Sequence, residues 1–470
     1  MNKAKISIFA LVMLMTGAVD GVTNLPSIAI FGQQLIFFFI VASVLFLLPT
    51  GLISAELCTQ FKEDSGVYVW SKKAFGGHFG ALTIWLQWIN TLVFFPTILT
   101  TIAGTAAYLI NPKLTHNTYY LVGTSLAALW IMTILNLKGI KESANMVSIA
   151  AVLGMVIPMA TIIGLSVLWL LTGKPQAIHL SSKAILPNLS HSNAWSSLTA
   201  IITAFLGMEL AAVHVKKVKN AGKVFPKALM YSIIVIVVTM GFGSLAVAFV
   251  IPHQQIALVS GTIQAFNTMF IAFHLHWMEK ILGVMLLCGS LGTMVTWLIS
   301  PANGLAQAAH DVYLPKTLAK ENKHGVPYKI LILQAIIASV VCLAFFLLPT
   351  INGSYWLLLD LSTEIYVIMY VLMFLSALKL ISDASKTNII PGKKSNAMLV
   401  ALLGIVGCLI AIVVGFFPPS HINVGSHWHY IMLFTLGLII MISPAILLSW
   451  HKAKFGIDDY LMLDNSVTNN

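Results

Sequence analysis

The chain has 470 residues, 58% of them apolar and only 9% charged, against about 25% charged in a soluble domain. That excludes a soluble globule, which needs far more polar surface, and equally a disordered or collagen-like chain. The charged groups are 26 basic and 15 acidic, and every basic residue is lysine.

A membrane-spanning helix needs about 20 mostly apolar residues. Twelve stretches qualify, near 6–30, 34–58, 79–110, 118–137, 144–172, 195–214, 228–251, 280–309, 329–349, 354–380, 396–417 and 427–450. Lys3 and Lys5 precede the first as they would in a signal peptide. Eleven further spans and no small-x-small cleavage site argue instead for a retained helix. With the N-terminus inside and the spans alternating, 22 lysines fall on the inner side and 4 on the outer. Such asymmetry is the positive-inside pattern. It places both termini in the cytoplasm and reads the +11 charge as topology, with no nucleic-acid surface. Segment 252–279, with His253, His274 and His276, reads as an amphipathic helix on the outer surface. Cys58, Cys288, Cys342 and Cys408 all lie in or at the ends of spans, so no disulfide framework is implied.

Two spans are interrupted alike. Span 1 reads Met15-Thr16-Gly17-Ala18-Val19-Asp20-Gly21, and span 6 reads Ala204-Phe205-Leu206-Gly207-Met208-Glu209. Each sets glycine and a carboxylate inside an apolar run. Because the two lie five spans apart, a repeated five-span unit has opposite topology in the membrane, as in inverted-repeat transporters. The fold expected is therefore an all-α integral membrane protein of twelve transmembrane helices. It has a LeuT-like 5+5 inverted repeat, discontinuous helices 1 and 6, and two extra helices. The units are 1–194, 195–395, 396–450 and a short tail, 451–470. The plainer reading of each glycine is close helix packing.

Broken helices at the midplane suit a zwitterion. Half-helix N-termini offer unpaired N–H groups to a carboxylate, and helix C-termini offer carbonyls to an ammonium. Thr16, Gly17, Ala18 and Val19 in span 1, with Phe205, Leu206 and Gly207 in span 6, are the candidate substrate contacts. Asp20 reads either as a helix N-cap or as a cation or proton site. Glu209 is costly at this depth unless partnered. It is a candidate for substrate contact or protonation, or a carboxyl that satisfies unwound backbone N–H groups. Asp360 and Glu364 share one face of span 10, and Glu364 is a third proton-coupling candidate, against the plainer reading of a polar packing partner.

These residues resemble a known family. Asn24-Leu25-Pro26 through Phe31-Gly32, Pro49-Thr50-Gly51-Leu52 through Glu56, Ser65-Gly66-Val67-Tyr68 and Ala81 to Trp88 carry the likeness in the first half. Gly207-Met208-Glu209, Phe225-Pro226-Lys227, Thr296-Trp297 with Pro301, and Tyr366 through Tyr370 carry it in the second. The chain resembles the amino acid–polyamine–organocation transporters, and within them the bacterial glutamate/GABA antiporters. The resemblance places Glu209 at the span-6 glutamate and offers Trp297, Tyr366 and Tyr370 as pocket walls or gates. Trp88, Phe94 and Phe95 in span 3 are aromatics of the same kind. It implies a secondary active transporter of amino acids in the bacterial inner membrane, working by alternating access as an antiporter or a proton-coupled permease. The alternative is a polyamine or organic-cation transporter, suggested by the acidic core without arginine. No enzyme motif is present, and no cofactor or metal is implied. The partners are a small-molecule substrate, the lipid bilayer and, as candidate coupling ion, the proton. The chain departs from the group at Thr23-Asn24, where an arginine is common, at Lys217 and Ala221, and in its short tail, which has no long plug.

Overall fold

The computed structural model describes residues 8–19, 21–61, 66–139, 152–179, 185–187, 192–210, 218, 221–311, 313–383, 390 and 393–455. Eleven helical stretches among them are long and apolar enough to cross a membrane, and Trp195–Leu210 is a shorter apolar helix. That short helix is the interrupted sixth span, which brings the twelve expected spans into one helical bundle.

Span 1 consists of α1 (Ile8–Val19), a 3-10 turn over Val22–Asn24 and α2 (Leu25–Ala29). Between them Gly21 is extended, at φ −139° and ψ 119°. Pro26 stands in the first turn of α2, where its missing N–H costs nothing. Span 2 joins α3 (Leu35–Ala42) to α4 (Leu48–Gln60) through a π-helical turn at Ser43–Leu47. Then α5 (Val67–Phe75) leads to α6 (Gly77–Ile110), which is span 3. Next come α7 (Thr118–Leu137), α8 (Ile157–Leu171) and α9 (Ser192–Ala204). The second half adds α10 (Ala221–Val250), α11 (Gly261–Ala272), α12 (Met278–His310), α13 (Tyr328–Cys342), α14 (Ile351–Asp383), α15 (Lys394–Val414) and α16 (His427–Phe455).

The hub is α6, buried along most of its length. Its amides and indoles tie it to its neighbours. Trp88 donates to Gln334 at 3.1 Å, Asn90 donates to the Ser362 carbonyl at 2.6 Å, and Trp85 donates to the Met441 carbonyl at 2.9 Å. Around it the outer helices turn leucines and isoleucines outward. On α16 Leu436, Ile439 and Ile440 are exposed, and on α15 Leu399, Leu409 and Val413. An apolar belt of this kind is stable against lipid and not against water.

Glycine meets glycine where spans 5 and 8 cross. A Cβ on Gly154 would strike the backbone of Gly289, and one on Gly289 would strike Gly154. Small residues let two backbones approach closely, so here the packing reading of glycine holds. Segment 252–279 differs from its expectation. Its helix, α11, buries Ile263, Phe266, Met269 and Phe270. Thr262 donates to the Val22 carbonyl at 2.8 Å. One face of α11 therefore packs on the break in span 1 and does not merely float at the interface.

Candidate functional site

The two breaks face each other. In span 6, α9 ends in a tight turn in which the N–H of Phe205 donates to Ile202 at 2.9 Å and that of Leu206 to Thr203 at 3.3 Å. Gly207 then takes φ +102°, a backbone region that favours glycine. In span 1 the break lies at Gly21, just past Thr16, Gly17, Ala18 and Val19, which form the last turn of α1. A last turn leaves carbonyls without helical partners. The carbonyls that face the break therefore come from a helix end and not from unwound chain.

Between the breaks lies a cavity of about 40 Å³, lined by Gly17, Val19, Gly21, Thr23, Asn24, Asn90, Phe94, Ile98, Thr203, Leu206, Thr293 and Trp297. A second cavity of about 40 Å³ shares Gly17, Gly21, Thr23, Ile98 and Thr293 and reaches to Gly154, Gly289 and Ser290. Each has space for a few waters, less than an amino acid fills, so the helices must part for a substrate to enter. The described lining carries hydroxyls and carboxamides and no charge. Its aromatic wall is Phe94 with Trp297, ring centres 5.9 Å apart, and Trp297 in turn meets Tyr366 at 6.2 Å.

Glu209 sits just behind this wall, only 2% exposed. Its Oε1 accepts from Gln87 Nε2 at 2.9 Å and from the Tyr366 hydroxyl, and its Oε2 accepts from the Tyr370 hydroxyl. The same Tyr370 oxygen accepts the Gly207 N–H at 3.0 Å. Thus a tyrosine satisfies the Gly207 N–H, and the carboxyl takes its own backbone N–H. Three donors converge on a group that accepts when ionised, and they bind the broken span 6 to α6 and α14. Thr203 and Thr363 add a hydroxyl–hydroxyl contact at 2.5 Å between α9 and α14.

Of the residues expected at the site, Gly17, Val19, Leu206 and Trp297 line the cavity. Thr16 is buried beside it, its hydroxyl without a hydrogen-bond partner among the described residues. Phe205 turns away and packs edge-on to Phe39 at 5.6 Å. Tyr366, Tyr370 and Glu209 form the layer behind the cavity. Glu364 lies on another face of α14, outside the cavity lining. Asp20 falls outside the described residues. Gln87, Asn90, Thr203 and Thr293 were not expected. Gln87 and Asn90 stand three apart in the apolar run of span 3, so they share a helix face, and that spacing was a usable signal.

Two broken helices around a polar cavity, inside a bundle with an apolar exterior, define a membrane transport protein. The chain belongs to the amino acid permease family, whose model matches residues 6–440, within the amino acid–polyamine–organocation superfamily. It is 37% identical to an uncharacterized transporter of Legionella pneumophila, over 96% of this chain and 97% of that one. It is 28% identical to a glutamate/gamma-aminobutyrate antiporter of Lactococcus lactis, over 97% and 92% of the two chains. A probable agmatine/putrescine antiporter of the same species is 25% identical over 81% and 80%.

Proposed function

We propose that the protein exchanges amino acids across the bacterial inner membrane, with both termini in the cytoplasm, as its glutamate/gamma-aminobutyrate relatives' names suggest. The observation that carries this reading is the cavity between Gly17 and Leu206, bounded by a helix end on one side and the Gly207 turn on the other. A zwitterion fits such a place. Its ammonium meets the last carbonyls of α1 and of α9, and its carboxylate meets the first N–H groups of the second half of span 1, at Val22 and Thr23. No arginine is needed, because helix ends supply the partial charges. Asn24, Asn90, Thr23 and Thr293 then contact the substrate side chain.

Alternating access follows from how the elements are joined. Residues 1–194 and 195–395 act as two inverted units, and 396–450 buttress them. Spans 1 and 6 rock against the scaffold of α6 and α12, with Trp297 as the swinging wall. Tyr366 and Tyr370 hold Glu209 and thereby set the position of the span-6 turn. Uptake of labelled amino acids into proteoliposomes, stimulated by the same amino acids inside, is the test; no uptake over a broad panel contradicts the reading.

A further inference from the structure

Helix α14 carries a second polar layer, on a face turned away from the cavity. Asp360 and Glu364 are one turn apart and each only 1% exposed. Tyr430 of α16 donates its hydroxyl to Asp360 Oδ2. Both oxygens of Glu364 have no hydrogen-bond partner among the described residues, while the buried indole N–H of Trp356, one turn earlier on α14, faces the Asp360 carboxyl as a second donor. The Glu364 carboxyl rests on the backbone of Gly415, at the end of α15, where a Cβ would strike Oε1. A glycine there opens the place that this carboxyl occupies.

The titratable groups that face Glu364 are Asp360 on its own helix, Cys408 of α15 and Tyr430 of α16; none is a cation. On the other helices packed against α14, the described charged side chains are engaged elsewhere: Lys73 of α5 lies over the Phe61 ring. Lys72 of α5 binds Asp311, and Glu56 of α4 accepts from the Ile390 N–H. Two buried carboxyls this close, with no cation beside them among the described residues, cannot both be charged at tolerable cost.

We propose that Asp360 and Glu364 form a proton-binding site, separate from the substrate cavity, in which the pair shares a proton between α14 and the α15–α16 buttress. When the proton is present, the two carboxyls hydrogen-bond to each other. When it leaves, the remaining charge settles on Asp360, where the Tyr430 hydroxyl and the Trp356 N–H donate to it; the bond between the two carboxyls is lost, and α14 shifts against α15 and α16. The other face of the same helix holds Glu209 through Tyr366 and Tyr370, so the shift reaches the span-6 turn. The link to transport rests on the exchange reading above; the site itself does not.

The test is infrared difference spectroscopy of the purified full-length protein in lipid nanodiscs during a pH change, with no substrate present. A carbonyl band of a buried protonated carboxyl is expected at low pH, fading as pH rises. It should be lost in Glu364→Gln and altered in Asp360→Asn. Tyr430→Phe, which removes one hydroxyl and no volume to speak of, should move the pH at which the band fades. Gly415→Ala should shift its frequency. In proteoliposomes, the pH profile of Glu364→Gln should flatten relative to the parent. A band that is absent, or that survives in both carboxyl variants, overturns the site whether or not the protein exchanges amino acids. A band behaving as expected beside an unchanged pH profile overturns its link to transport.

Discussion

The hydroxyl of Tyr370 joins the two halves of the site: it accepts the Gly207 N–H at 3.0 Å and donates to Glu209. A single side chain of α14 thus satisfies the backbone at the span-6 break and anchors the carboxyl two residues further on. Tyr370→Phe leaves that N–H and one carboxyl oxygen unpaired in a buried place, at a cost of about 1–3 kcal/mol for each orphaned group. The expected outcome is a lower melting temperature and an exchange rate reduced about tenfold or more, since each 1.4 kcal/mol is a factor of ten. Thermal unfolding and initial rates on the same preparation check it.

Gly207 predicts a sharper loss. At φ +102° a side chain is strained by about 1–3 kcal/mol, and the turn must also approach the substrate. Gly207→Ala should slow exchange with the protein still inserted, and Gly207→Trp, which also fills the space, should abolish it. Normal transport by the tryptophan variant refutes the placement of the substrate.

At one edge of the bundle, Lys72 and Asp311 form a clasp at 2.6 Å, with the Tyr68 hydroxyl donating to the same oxygen at 2.6 Å. Burial alone pushes the Asp311 carboxyl up, but the Lys72 ammonium and the Tyr68 hydroxyl outweigh it and hold the group below the usual carboxylate range. A lowered carboxyl stabilises the folded state above the ordinary Asp value, about 3.9, and loses that contribution as pH falls through the lowered one. At neutral pH the clasp is therefore intact, and Asp311→Asn opens it. Hydrogen exchange across α5 should rise in that variant at pH 7 and converge with the parent only in strong acid.

On the opposite side His421 packs edge-on to His253, ring centres 4.7 Å apart. Burial, and then the neighbouring His253, push the His421 imidazole below its ordinary value. The sign is the reverse of a stabilising cation. The contact is fully present above about pH 6.5 and weakens as pH falls toward the lowered value, because the unfolded or opened form binds the proton more readily. Hydrogen exchange in the loop between α15 and α16 should therefore rise on mild acidification, and His253→Gln should reduce that response.

The spans were legible because lipid demands about 20 apolar residues per crossing, a signal that no tertiary contact overrides. The span-6 break was legible in Gly207 beside Glu209, two residues that an uninterrupted membrane helix has little use for. The span-1 break falls at Gly21, at the far end of the Met15–Gly21 stretch that the sequence marks, because Thr16 to Val19 form the last turn of α1. What the sequence left hidden was facing. Gln87 and Asn90 are polar residues in an apolar run, but only the packing of α6 against α9 and α14 tells which of them meets Glu209 and which the cavity. Likewise Asp360 and Glu364 read as one acidic face, and only the bundle reveals that this face turns toward α15 and α16.

The central claim is that a zwitterion is exchanged through the cavity between Gly17 and Leu206. Its most direct test is counterflow in proteoliposomes holding the purified protein. Labelled glutamate or gamma-aminobutyrate outside is followed with either amino acid, or none, inside. The expected result is accumulation that requires internal amino acid and that disappears in Gly207→Trp. Equal uptake into empty vesicles, or accumulation driven by putrescine and not by any amino acid, contradicts it.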